Sequence, residues 1–147
     1  MQLESILSPD LTFCNVQGVS KKRLIETAAE LIGSHIDVSA NQIYDALIAR
    51  EQLGSTGLGG GIAIPHCRVP KCREITGCLI TLAAGIDFDA IDGKPVDLLF
   101  FLLVPENTLE GHLEVLKTLA ERFTRPEYCT QLRDSQSNQA LYEAAIS

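Results

Sequence analysis

The sequence has no apolar run long enough to cross a bilayer. The longest, VDLLFFLLVP over residues 96–105, is far too short, which excludes a helical membrane span. The first residues, MQLESILSPDL, lack the charged-then-apolar pattern of a secretion signal. Positive charge is scarce: 12 Lys and Arg stand against 19 Asp and Glu, for a formal net charge of −7 and a pI near 4.9. An acidic surface repels nucleic acid and anionic lipid, so neither is expected as a partner, whereas a basic protein would be drawn to it. The five cysteines are an odd number in a chain able to build its own core, which argues against a disulfide framework. Free thiols in a reducing cytoplasm are expected instead. Tryptophan is absent, and neither an internal repeat nor a linker interrupts the 147 residues. With 46% hydrophobic residues, this length predicts one domain over residues 1–147 with a sizeable core.

The apolar spacing predicts the elements. SKKRLIETAAELIG (20–33) reads as a helix capped by Ser20 and ended by Gly33, with Leu24, Ile25, Ala28, Leu31 and Ile32 on one face. SANQIYDALIAREQL (39–53) repeats the design, with Ser39 as cap, Gly54 as terminator, Ile43, Ala46 and Leu47 facing the core, and Arg50 in the last turn. GIAI and TGCLITLAA (76–84) are strand candidates, IDGKP (91–95) is turn chemistry, and VDLLFFLLV (96–104) reads as a central strand buried on both faces. Asn107 with Glu110 has capping-box spacing before a helix whose stripe is Leu109, Leu113, Leu116, Ala120 and Phe123. Shorter helices are expected near 126–134 and 137–146. The sum is an α/β domain, a mixed sheet covered by helices on both faces.

GSTGLGGGIAIPHCRVP (54–70) crowds glycines ahead of one histidine. It fails both nucleotide templates: no Lys-Ser or Lys-Thr follows the glycines, and a G-x-G-x-x-G from Gly57 meets Ile62. His66, Cys67, Cys72 and Cys78 lack the paired spacing of a zinc site, so no metal is expected. Cys67 and His66, adjacent on a strand, point to opposite faces and do not form a nucleophile pair. A neutral imidazole is a good nucleophile near neutral pH, and glycines let backbone N–H groups approach an anion. From this stretch alone, a mobile surface loop and a histidine that receives a phosphoryl group explain the residues equally well.

DALIAREQLGSTGLGGGIAIPH (45–66), followed by FDAIDGKPVDLLFFLLVPENTLEGHLEVLKTLAERF (88–123), resembles the type-2 IIA domains of the bacterial phosphoenolpyruvate-dependent phosphotransferase system. These include the fructose and mannitol IIA domains, and the chain looks most like their nitrogen-regulatory branch, IIA-Ntr. The resemblance covers nearly the whole chain. It implies the type-2 IIA fold and a cytoplasmic phosphocarrier that needs no cofactor, takes its phosphoryl group from an HPr-like protein, and turns over no small molecule of its own. By resemblance His66 is the phosphoryl acceptor, Arg50 the arginine beside it, His112 a second active-site histidine, and Ser55, Thr56 and Gly61 the phosphate-binding loop. Taken alone, Arg50 reads as a surface helix arginine, His112 as a half-buried histidine against Leu116, and His35 as a solvated loop residue. The chain departs from the family at Cys67, where glycine is usual, and at Gly60, where asparagine is common. Cys67 adds bulk and a thiol, with redox sensitivity as a consequence to check; its side chain is expected on the face away from His66.

The expected chemistry is in-line transfer between imidazoles, with charge stabilisation by Arg50, the loop amides and His112. Ile62, Ile64, Leu58 and Val69 are expected to form an apolar partner face with an acidic rim. In the nitrogen branch phosphorylation state regulates other proteins, including sensor-kinase and potassium-transport partners. A free-standing domain favours that regulatory role. The alternatives are a sugar-transport component passing phosphate to a IIB domain, and a binding module that kept the fold without phosphorylation.

Overall fold

A computed structural model describes residues 2–108 and 110–147, with the side chains of Glu110 and Gly111 outside the description. Strand β6 (Val96–Pro105) is the axis of the molecule. Leu98 to Val104 are buried without a break, as the continuous apolar run predicts. Successive side chains leave to opposite faces, so Phe101 packs with one cluster and Phe100 with the other. Each such burial contributes about 1.5–3 kcal/mol. Strand β5 (Thr76–Ile86) pairs antiparallel to β6, and Gly77 is needed there because a Cβ would lie 2.7 Å from the Phe100 ring. The other edge of β6 carries β3 (Ile62–Ala63) and β4 (His66–Val69) in succession, both parallel to it. The outer strands are β1 (Leu7–Val16), parallel to β5, and β2 (Gly57–Gly59), antiparallel to β3.

Helices α1 (Lys21–Ile36) and α2 (Ala40–Gln52) cover one face of the sheet. Helices α3 (Glu110–Phe123), α4 (Pro126–Asp134) and α5 (Asn138–Ile146) cover the other. The mixed sheet between helical layers is the expected architecture. Among the described residues no helix is long and apolar enough to cross a membrane.

Several expectations need correction. Helix α1 runs through Gly33 to Ile36, and Asp37 ends it in the left-handed region at φ 58°. Gly33 is small because a Cβ there would meet the Val38 carbonyl oxygen at 2.6 Å. His35 therefore sits in a helix, though exposed. Ser20 caps α1 through the Arg23 N–H as predicted, whereas Ser39 makes no side-chain cap bond. Strand β1 has no announcement in the sequence, because two register irregularities and Asn15 at φ 53° break its alternation. The buried stripe of α3 is Val115, Leu119 and Phe123, with Leu116 at its edge. Leu113 is 64% exposed and Ala120 faces solvent. Leu109 and the Asn107–Glu110 capping box fall on or need residues outside those described.

Candidate functional site

His66 opens β4 opposite Leu102 of β6. The chain reaches it through Ile64 and Pro65, and the Pro65 carbonyl accepts a hydrogen bond from Leu102 N–H at 2.9 Å. Alternation sends Cys67 and Val69 into the α1–α2 side of the core. His66 turns the other way, towards α3, and its ring centroid lies 5.7 Å from that of His112 at an interplanar angle of 46°. Nδ1 of His66 lies 2.7 Å from the Ile64 carbonyl oxygen. A carbonyl only accepts, so Nδ1 carries the proton and Nε2 keeps its lone pair.

Burial holds His66 below its ordinary value; the bond to Ile64 opposes this, Arg50 adds to it and Glu51 opposes it. His112 is also lowered, first by burial, then by His66 and by Arg68. Both rings are therefore neutral at pH 7. The pair offers one free nucleophilic nitrogen and a second imidazole able to donate one hydrogen bond.

The loop before β2 is fastened residue by residue. Arg50 Nη1 donates to the Gly54 carbonyl at 2.9 Å. Ser55 Oγ donates to the Phe88 carbonyl at 2.8 Å and accepts from Gly57 N–H at 3.0 Å. Thr56 Oγ1 donates to Glu51 Oε2 at 2.5 Å, and Thr56 N–H to Glu51 Oε1 at 3.2 Å. The hydroxyl protons of Ser55 and Thr56 are thus spent inside the protein. Gly61 is not brought to His66. Its carbonyl accepts from Asp97 and Leu98 N–H, at the far end of β6 from Leu102, which sets it about 16 Å along the strand. There the glycine turn is clasped by Asp92, which accepts from Gly60 N–H, and by Arg133, which donates to the Gly60 carbonyl and pairs with Asp97. So the structure sets His112 beside His66, keeps the Arg50 charge near enough to lower the His66 ring, and holds Gly61 apart from His66.

Residues 5–146 match the family described as phosphoenolpyruvate-dependent sugar phosphotransferase system, EIIA 2. The chain belongs to this family. As an EIIA domain it is a phosphotransfer component of that system. It is similar to the nitrogen regulatory protein of Pseudomonas aeruginosa, 46% identical over 147 residues, covering 99% of this chain and 96% of that one. The nitrogen regulatory protein IIA-Ntr of Neisseria meningitidis superposes with a TM-score of 0.92 at 40% identity, covering 97% of this chain and 98% of that chain. The mannitol IIA enzyme of Escherichia coli, solved in complex with phosphorylated mannitol IIB, shares the fold at a TM-score of 0.80 and 18% identity, covering 95% of this chain and 98% of that chain.

The apolar partner face expected of this EIIA domain is not built as expected. Ile62, Ile64 and Val69 are buried in the core, and of that set only Leu58, 51% exposed, reaches the surface. Helices cover both faces of the sheet, as expected, so these short strands leave neither side of their apolar residues free for a partner. Cys67 is buried on the side away from His66, and burial pushes its thiol up to about 12, so it is not the reactive thiolate that redox sensitivity requires. Glu51, Lys21 and Arg68 were not legible as site residues. Arg68 lies two positions after His66, on the same face of β4, and its Nη1 donates to the carbonyls of Pro105, Glu106 and Thr108 ahead of α3.

Proposed function

We propose that the protein is a phosphohistidine carrier that accepts a phosphoryl group on Nε2 of His66 from an HPr-like donor and acts as a regulatory protein of the nitrogen or potassium type. The observation that carries the reading is the Nδ1–H bond from His66 to the Ile64 carbonyl, which leaves Nε2 as the free nucleophile. In the step, the Nε2 lone pair forms a bond to phosphorus as the bond from phosphorus to the donor's imidazole nitrogen breaks. The donor nitrogen keeps that electron pair, and the proton stays on His66 Nδ1, donated to the Ile64 carbonyl. Arg50 supplies positive charge to the phosphoryl oxygens and His112 one hydrogen bond, so catalysis is positioning and charge stabilisation. Thr56 and Ser55 act in this reading by shaping the loop. The regulatory role is supported by the name and near full-length match of the Pseudomonas aeruginosa relative.

A second reading, passage of the phosphoryl group to a IIB domain, is supported by the shared fold of the mannitol IIA enzyme that was solved with its phosphorylated IIB partner. The test is incubation with a phosphorylated HPr-type protein, read by intact mass, on the wild type and on His66→Ala. Acid-labile addition of one phosphoryl group to the wild type alone is the expected result. No addition from any such donor would overturn the carrier reading. Onward transfer to a IIB domain would then separate transport from regulation.

A further inference from the structure

Glu51 is a charged side chain that the proposed transfer does not use. It is 8% exposed, in the last turn of α2 beside Arg50. Taking a carboxylate out of water costs several kcal/mol unless it is paired and hydrogen-bonded. Here Lys21 Nζ approaches Oε1 at 3.0 Å, and Thr56 supplies both its N–H and its hydroxyl. Lys21 is itself fixed, 4.7 Å from the centroid of the Phe88 ring. Such a buried pair is weak evidence for stability, since well-packed apolar residues often serve a fold equally well.

Its placement gives it a different use. Thr56, gripped twice by Glu51, accepts Ile64 N–H on its carbonyl at 3.1 Å. The Ile64 carbonyl in turn accepts His66 Nδ1–H at 2.7 Å. An unbroken series of hydrogen bonds and single residues therefore runs from Lys21 and Glu51 through Thr56 and Ile64 to the ring.

We propose that Glu51 is a positioning residue for His66: its carboxylate, neutralised by Lys21, clamps Thr56 so that the Ile64 segment holds the imidazole in the tautomer with Nε2 free. Thr56 is the link and Lys21 the counter-charge. The proposal rests on His66 being the phosphoryl acceptor, and it assigns Glu51 no contact with the phosphoryl group.

The experiment compares the full chain with Glu51→Gln, Glu51→Asp, Thr56→Val and Thr56→Ser. Two quantities are read: the rate of phosphoryl acceptance from a phosphorylated HPr-type protein, and the tautomer and titration midpoint of His66 by 15N-edited imidazole spectra of the unphosphorylated protein. Glu51→Gln and Thr56→Val are expected to slow acceptance roughly ten- to a hundred-fold, the range found when the outer partner orienting a liganding histidine is removed. Both should mix the Nε2–H tautomer into His66, and Glu51→Gln should lower its midpoint by removing a nearby negative charge. Thr56→Ser, which keeps the hydroxyl, should restore most of the rate. Acceptance and His66 spectra unchanged in Glu51→Gln would overturn the proposal. So would a rate loss in Thr56→Val that Thr56→Ser shares, with the tautomer intact. Should Glu51→Gln fail to fold, the Thr56 pair carries the test. Should the wild type accept no phosphoryl group, the carrier reading fails, and the tautomer measurement still decides the role of Glu51.

Discussion

Nδ1 of His66 and the carbonyl oxygen of Ile64 meet at 2.7 Å across a single proline. Pro65 has a fixed φ, which stiffens the segment between that carbonyl and the ring. The His66 ring is thus oriented by its own approach segment. The ring is half-buried, and burial, partly offset by the Ile64 bond, keeps its affinity for protons low.

That lowering predicts a pH dependence of stability. The folded-state value of His66 lies below 6.5, so in the window beneath 6.5 the unfolded chain binds more protons than the folded one. Stability contributed by the neutral ring is full above the unfolded value and is lost as pH falls through the window to the folded value. His112 acts in the same direction. Urea midpoints should fall between neutral and mildly acid pH, and the slope should flatten in His66→Asn/His112→Asn. An undiminished slope in the double variant would contradict the burial assigned to the two rings. Phosphoryl acceptance should fall with the same titration, because a protonated ring has no lone pair at Nε2.

The two rings should also report on each other. His66 is the second cause of the lowering at His112, after burial. Removing it in His66→Ala should raise the His112 midpoint towards 6.5 in a proton NMR titration. The centroid separation of 5.7 Å makes this a direct effect. An unmoved or lowered His112 midpoint would mean the rings do not face each other.

How much of this was legible in the sequence differs by element. The run Leu98 to Val104 announced β6 because a strand buried on both faces needs no alternation. Helices α1 and α2 followed from their spacing, while the end of α1 did not, because Asp37 takes a left-handed conformation usually left to glycine. Strand β1 stayed hidden behind its bulges. At the site, His66, Arg50 and His112 came from a long motif. Glu51 did not, because AREQ reads as a solvated last turn and its partner Lys21 lies on a different helix. Tertiary pairing of that kind leaves no local signature. The same holds for the Arg133–Asp97 pair that clasps Gly60 and Gly61.

The thiols should react unequally. Cys67, Cys72, Cys78 and Cys129 are buried, and burial raises each of them. Cys14 alone is partly exposed. In the native protein at neutral pH, iodoacetamide should modify Cys14 first and leave Cys67 untouched until denaturant is added, as peptide mass mapping would report. Early alkylation of Cys67 would reopen a redox role beside His66.

The glycine turn should distinguish two neighbouring glycines. Both Gly60 and Gly61 have left-handed φ values, 66° and 82°, where any side chain costs about 1–2 kcal/mol. A Cβ on Gly60 meets nothing within 4 Å. On Gly61 it would lie 2.7 Å from Arg133 Nη2 and 2.9 Å from Asp97 Oδ1. These are ends of side chains, so they can move, and the cost is the latch they form. A half-exposed bidentate pair of this kind is worth roughly 1 kcal/mol at most after screening. Gly61→Ala is therefore expected to destabilise the fold by about 1 kcal/mol more than Gly60→Ala in urea unfolding. In an Arg133→Ala background the latch is already gone, and the difference between the two substitutions should shrink. Equal costs in the wild-type background would show that the Arg133–Asp97 pair does not hold the turn. A difference that persists without Arg133 would assign the strain to Asp97 and the backbone instead.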